Sequence, residues 1–122
     1  MQFSKCFMDD KERAKKIELA ELKEKVSTFL YNNFIDFERD KGILIDGVEL
    51  HPAFFLNKYS IIIDCFRICR PGDPDFDLKI PLYVKDGVKF IPLDLTNQKY
   101  CHDVLQAKLP GLGCSLKREV PK

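Results

Sequence analysis

The chain has no apolar run long enough to cross a bilayer. Its longest, Ile61 to Ile63 and Phe54 to Leu56, fall far short of the roughly 20 residues that a spanning helix needs. No charged-then-apolar leader opens it, so the expectation is a cytoplasmic protein with no membrane partner. Net charge is also missing: 20 Lys and Arg stand against 19 Asp and Glu, for a formal charge of +1. That removes the overall positive field which by itself points to nucleic acid, and any such binding must rest on a local patch. The five cysteines, Cys6, Cys65, Cys69, Cys101 and Cys114, are odd in number and scattered, so a secreted disulfide framework is not expected and free buried thiols are. There is no Gly-rich phosphate loop and no Ser or Cys in a nucleophile elbow, which excludes the common signatures of nucleotide hydrolysis and acyl transfer.

What is present is one domain's worth of chain, 122 residues of which 45% are apolar and 32% charged. Its core is expected over about 9–110, with a loose tail over 114–122. From Asp9 to about Phe34 there is no Gly or Pro, and Ile17, Leu19, Leu22, Val26, Phe29, Leu30 and Phe34 recur at spacings of three and four. That pattern predicts a long amphipathic helix with Asp9 and Asp10 at its N-terminus. Gly42-Ile-Leu-Ile-Asp46-Gly47-Val-Glu-Leu-His51 predicts a hairpin, because Asp-Gly supplies the positive φ angles of a tight turn, with Ile45 opposite Val48 and Ile43 opposite Leu50. Tyr59 to Ile68 is apolar on both faces around Asp64, as a central strand is.

Arg70-Pro-Gly-Asp-Pro-Asp75 is a dense turn cluster and reads as a loop. The next stretch is two-sided. Leu78, Ile80, Leu82 and Val84 alternate as in a strand returning through Asp86-Gly87, while Phe76, Ile80 and Val84 suit a short helix. Pro81 argues against a helix interior and for an edge strand. Val88 to Leu95 predicts a strand, and Thr96-Asn97 a cap for a helix through about Leu109, stopped by Pro110-Gly111.

The order of helix, hairpin, central strand, uncertain element, strand and helix resembles the core of the PD-(D/E)xK nuclease superfamily, in its very-short-patch-repair-like branch. Local strings carry the resemblance over roughly 20–110. They are Val26-Ser-Thr-Phe-Leu30, Asp36-Phe-Glu-Arg39, Val48-Glu-Leu-His-Pro-Ala-Phe-Phe-Leu56, Tyr59-Ser-Ile-Ile-Ile-Asp64, and Val88-Lys-Phe-Ile-Pro-Leu-Asp-Leu95 with the helix after it. The resemblance implies a restriction-endonuclease-like α/β fold: a mixed central sheet of about four or five strands between the long N-terminal helix and the C-terminal helix.

It also implies a divalent metal, usually Mg²⁺, that activates water at a phosphodiester, with a lysine stabilising the developing charge. The signature is degenerate here. Ala53 stands in the Pro-Asp position, and Phe66 stands where many members have Lys. Asp64 keeps the acidic position, as catalytic residue and metal ligand. Lys79, Asp46 and Glu24 are the nearest candidates for a relocated lysine or acid, and Lys79 is the one carried forward as catalytic. Arg67, Arg70 and Lys85, with Lys79 and Lys89 near Phe66 and Tyr83, outline an expected nucleic-acid surface. The expected function is nucleic-acid binding or processing. The rival is a noncatalytic protein-interaction module on a degenerate nuclease fold, as a homodimer or with another partner.

Three other groupings have bland readings. Asp73, Asp75 and Asp77 match the first half of a calcium loop but lack its glycine and terminal Glu, so a solvated acidic loop is expected. Cys65 and Cys69, with Cys101, His102 or Cys114, lack the spacing of a zinc knuckle, and strand residues four apart lie roughly 13 Å from each other. His51 and His102 can titrate near neutrality, but a lone His at a strand end or in a first helical turn is usually structural.

Overall fold

The structure, a computed structural model, describes residues 10–116. Cys6, Asp9 and residues 117–122 of the expected tail lie outside the described residues, as does the side chain of Asp10. The elements in order are α1 (Asp10–Asn32), β1 (Glu38–Arg39), β2 (Ile43–Ile45), β3 (Val48–Leu50), β4 (Phe54–Leu56), β5 (Ile61–Phe66), α2 (Pro74–Asp86), β6 (Lys89–Asp94) and α3 (Cys101–Lys108). A 3-10 segment, Leu95–Tyr100, joins β6 to α3. The chain is a mixed α/β fold: a four-stranded sheet in the order β1-β4-β5-β6 and a separate β2-β3 hairpin. The hairpin has the expected register, Ile45 opposite Val48 and Ile43 opposite Leu50.

β5 sits inside the sheet, antiparallel to β4 and parallel to β6, and all six of its residues are buried. Side chains alternate across a strand, and here the alternation separates two apolar clusters. Ile61, Ile63 and Cys65 join Leu22, Val26 and Leu30 of α1 and Leu105 of α3. Ile62 joins Ile45 and Leu50 of the hairpin and Tyr83 of α2. Asp64, two residues from Ile62, therefore lies on the hairpin and α2 side of the sheet.

The α1 stripe differs from the expected one at both ends. Leu22, Val26, Phe29 and Leu30 are buried, but Ile17 is 54% and Phe34 77% exposed. The helix stops at Asn32, and the chain reverses through Phe34 at φ +60. Ile35 N–H donates to the Leu30 carbonyl at 2.9 Å and Phe34 N–H to that of Tyr31 at 3.0 Å. The first of these is the six-to-one bond of a Schellman turn, whose left-handed position usually holds Gly.

The stretch 74–86 is a helix, which corrects the edge strand that Pro81 favoured. Local chemistry at its two ends explains this. The Asp73 carboxylate accepts from Phe76 N–H at 3.1 Å, Pro74 fills a first-turn position that needs no N–H, and Gly87 closes the C-terminus at φ +71 with its N–H on the Tyr83 and Val84 carbonyls. The turn cluster before residue 76 and the Asp86-Gly87 pair are thus helix start and stop signals rather than a loop and a hairpin turn. β5, α2 and β6 form a parallel strand-helix-strand unit, in which a helix is the usual crossover. The cap after β6 also comes two residues before the expected Thr96. Asp94 is the capping residue, accepting from Thr96 N–H, while Asn97 Oδ1 accepts from Asp94 N–H.

Pro81 sits inside α2, where it forfeits a backbone hydrogen bond to the Asp77 carbonyl. Pro81→Ala is expected to raise stability by about 2 kcal/mol, and Gly87→Ala to lower it by about 1 kcal/mol. Urea denaturation checks both, and a destabilising Pro81→Ala would count against a helix here.

Candidate functional site

Three residues of α2 share its sheet-facing side with Ile80. Phe76, Lys79 and Tyr83 follow the three-four spacing of one helix face. The Phe76 ring meets that of Phe66 edge-on at 5.9 Å. The other two reach Asp64.

Asp64 is 2% exposed. Its Oδ1 accepts from the backbone amides of Ala53 and Cys65, each at 3.0 Å. Its Oδ2 accepts from the Tyr83 hydroxyl at 2.8 Å and faces Lys79 Nζ at 3.1 Å. Lys79 is itself largely covered: its side chain is 14% exposed, its Nζ lies 3.7 Å from Asp75 one turn earlier, and it stands 5.6 Å above the Phe66 ring. Four donors from four places in the chain thus converge on one carboxylate.

The electrostatics follow from burial. The Tyr83 phenol is pushed upward, first by burial and then by the charge and hydrogen bond of Asp64. The Asp75 carboxyl is raised by burial, an effect that Lys79 opposes. Burial, and after it Asp64, lifts the Cys65 thiol to about 12. Burial, and after it Asp94, does the same for Cys69. A thiol raised this far is not a nucleophile at neutral pH.

Of the expected site residues, the structure brings Asp64 and Lys79 together. Asp46 and Glu24 go elsewhere: Asp46 pairs with Lys85 at 3.0 Å and Glu24 with Arg39 at 3.0 Å, both on the surface. Arg67 and Arg70 follow the C-terminal end of β5, whereas Lys85 lies at the far end of α2 beside the hairpin turn. The length of β5 separates the two groups by roughly 20 Å. The expected basic surface is corrected further at its aromatic members, since Phe66 and Tyr83 are fully buried and Lys79 is turned inward on Asp64.

The acidic loop is accounted for residue by residue. Asp73 caps α2, Asp75 faces Lys79, and Asp77 accepts from Gly72 N–H at 3.1 Å. Cys65, Cys69, Cys101 and Cys114 are free thiols, and β5 ends at Phe66, before Cys69.

The Mg²⁺ expectation can be tested on the acceptors. A hard divalent ion takes carboxylate oxygens with free lone pairs, and a carboxylate offers about four such positions. At Asp64 all four are taken by N–H, O–H and ammonium donors. Among the described residues, no group of three or more His, Cys, Asp or Glu side chains is placed to hold a metal. The residues present do not fit the ion.

Sequence reasoning did not find the part that Tyr83 plays. Its signal was the spacing Asp75, Lys79, Tyr83, which puts an acid, a base and a hydroxyl on successive turns only if the segment is helical. No family model, no curated protein and no solved structure matches this chain. No helix among the described residues is long and apolar enough to cross a membrane.

Asp64→Asn is expected to destabilise the protein by about 3 kcal/mol, because it strands the Lys79 ammonium in a buried place. Tyr83→Phe is expected to cost about 2 kcal/mol. The raised phenol also fixes a pH dependence. The native state keeps its Tyr83 proton where the unfolded chain has lost it, so stability falls as pH rises through the ordinary value of 10.0. Denaturation midpoints measured on either side of that pH should fall less steeply in Tyr83→Phe than in the parent, and parallel profiles would remove Tyr83 from the network.

Proposed function

We propose that this chain is a noncatalytic interaction module, a nuclease-like frame whose polar centre has become structural, working through a protein partner. The observation that carries the reading is Asp64 with all its acceptor positions filled from within the chain. Such a carboxylate has nothing left with which to hold a metal or activate water. Position 53 supports the same reading. Its amide touches Asp64, so the place where the resemblance implies a second metal ligand adjoins the first, and it carries only a methyl group.

The feature that favours a protein partner lies at the C-terminal end of α1. Tyr31 and Phe34 are each 77% exposed. With Ile35, Asp36 and Phe37 they line an open depression of about 290 Å³. Holding Phe34 in the left-handed region costs about 1 kcal/mol that Gly would not. Asp36 is the one charged residue among the described residues of that lining, so the partner segment that fits is an aromatic or aliphatic anchor beside a Lys or Arg. A reducing compartment such as the cytoplasm suits the free thiols.

Two measurements test this. Labelled single- and double-stranded DNA and RNA incubated with Mg²⁺ or Mn²⁺ should stay intact, and cleavage lost in Asp64→Asn would overturn the noncatalytic reading. Phe34→Gly should gain about 1 kcal/mol of stability while weakening association at least tenfold. That association is to be measured against peptides carrying an aromatic next to Lys and, for a second copy of this chain, by sedimentation equilibrium. Unchanged association with every partner would remove this face from the proposal.

A further inference from the structure

On another face of the same helix end, a second depression of about 250 Å³ opens between α1 and α3, lined by Phe29, Asn32, Asn33, His102, Gln106 and Leu116. Among the described residues, its lining holds no acid, lysine or arginine. It is rich instead in groups that donate and accept at once. Asn33 is committed to the helix end, where its Nδ2 donates to the Phe29 carbonyl at 2.9 Å. Asn32 and Gln106 are exposed, and their amides are open to a ligand.

His102 is oriented by the protein. Its Nε2 lies 2.8 Å from the Lys25 carbonyl oxygen, which can only accept, so Nε2 carries the hydrogen. In the neutral ring Nδ1 is then an acceptor. The ring is further held against Phe29, with centroids 5.3 Å apart. His102 and Gln106 lie one turn apart on α3, as Phe29 and Asn32 or Asn33 do on α1, so the two rows face each other across the cleft.

We infer that this cleft is a binding site for a neutral adenine ring, taken from a free nucleoside or from a base of a single strand. A flat heteroaromatic stacks on an exposed imidazole. Asn and Gln amides pair bidentately with the N6 and N7 edge of adenine. The same amides disfavour guanine, whose edge presents two acceptors, O6 and N7, where an Asn or Gln needs one donor and one acceptor. The volume holds a base-sized group and is below the usual range for larger ligands. The described lining residues are amides, aromatic rings and an aliphatic side chain, chemistry that suits the base rather than a phosphate.

The test is a ¹⁵N NMR titration of the full chain with adenosine, guanosine, cytidine and uridine, and with short single-stranded oligoadenylate. Adenosine is expected to shift the side-chain amide signals of Asn32 and Gln106 and the ring of His102, with the other nucleosides at least fivefold weaker. Asn32→Leu and Gln106→Leu, both at exposed positions, should each weaken adenosine about tenfold without altering the backbone spectrum elsewhere. Oligoadenylate bound at least tenfold tighter than adenosine assigns the site to a base within a strand, and equal affinity assigns it to the free nucleoside. No response at these three residues to millimolar adenosine or to oligoadenylate, or equal response to all four nucleosides, would overturn the inference. The interaction face at Phe34 does not depend on either result.

Discussion

A charged carboxylate placed in the middle of a sheet must be neutralised and fully hydrogen-bonded, or the burial costs several kcal/mol. Asp64 imposes that demand on the whole fold. It is met by the Ala53 amide ahead of β4, the Cys65 amide on its own strand, and Lys79 and Tyr83 one turn apart on α2. Each donor fixes a different degree of freedom. The Ala53 amide sets the approach of β4 to β5, and the two α2 side chains set which face of that helix meets the sheet. An apolar residue at 64 would let α2 rotate or slide at little cost, because apolar contacts lack direction, whereas hydrogen bonds to a buried charge do not. The network is therefore a source of uniqueness more than of net stability, since a buried pair often does no better energetically than well-packed apolar groups.

The same demand accounts for two features that otherwise look like faults. A proline in the interior of α2 removes a backbone hydrogen bond, yet the helix persists because it is capped at both ends and tethered at residues 79 and 83 on either side of the proline. The lack of an open metal position is the other. One carboxylate cannot serve both as a saturated structural acceptor and as a metal ligand, because its lone pairs are finite. Lys79 brings its own positive charge to the place that a cation would otherwise fill, with Asp75 on its other side. The chain is thus electrically closed at its centre.

Much of this was legible in the sequence where the signal was local. The hairpin register followed from Asp46-Gly47, the burial of β5 from its apolar residues on both faces, and the core side of α1 from Leu22, Val26, Phe29 and Leu30. The misreadings came where one strong local rule outweighed several weaker ones. Pro81 and the alternation from Leu78 to Val84 tip an open reading toward a strand, while Asp73, Pro74, Asp75, Asp77 and Gly87 all signal a helix with defined ends. Once 74–86 is read as extended, Lys79 and Tyr83, four residues apart, no longer stand one above the other, and the tyrosine drops out of the site. Phe34 was misread for a different reason: three-four spacing cannot show that a helix has already ended, and a Phe at a left-handed position hides the stop signal that Gly would give.

The closed centre bears on where a ligand can act. The α2 side of the sheet offers no unsatisfied group at Asp64, and the basic residues after β5 and at the end of α2 are too far apart to act as one patch. Open chemistry gathers instead around the last turns of α1. Two depressions adjoin there, one aromatic with a single acid and one amide-rich with an oriented imidazole. They share a rigid base, because Phe29, Leu30 and Ile35 are buried between them and the Schellman bonds fix the turn. Side chains held by a packed helix end lose little freedom when a ligand arrives, so even a small depression there can bind with specificity. Where the buried charge holds the fold together, the proposed recognition falls to such a surface, whose exposed rings and amides are suited to shape and hydrogen bonding and need neither a perturbed proton nor a metal.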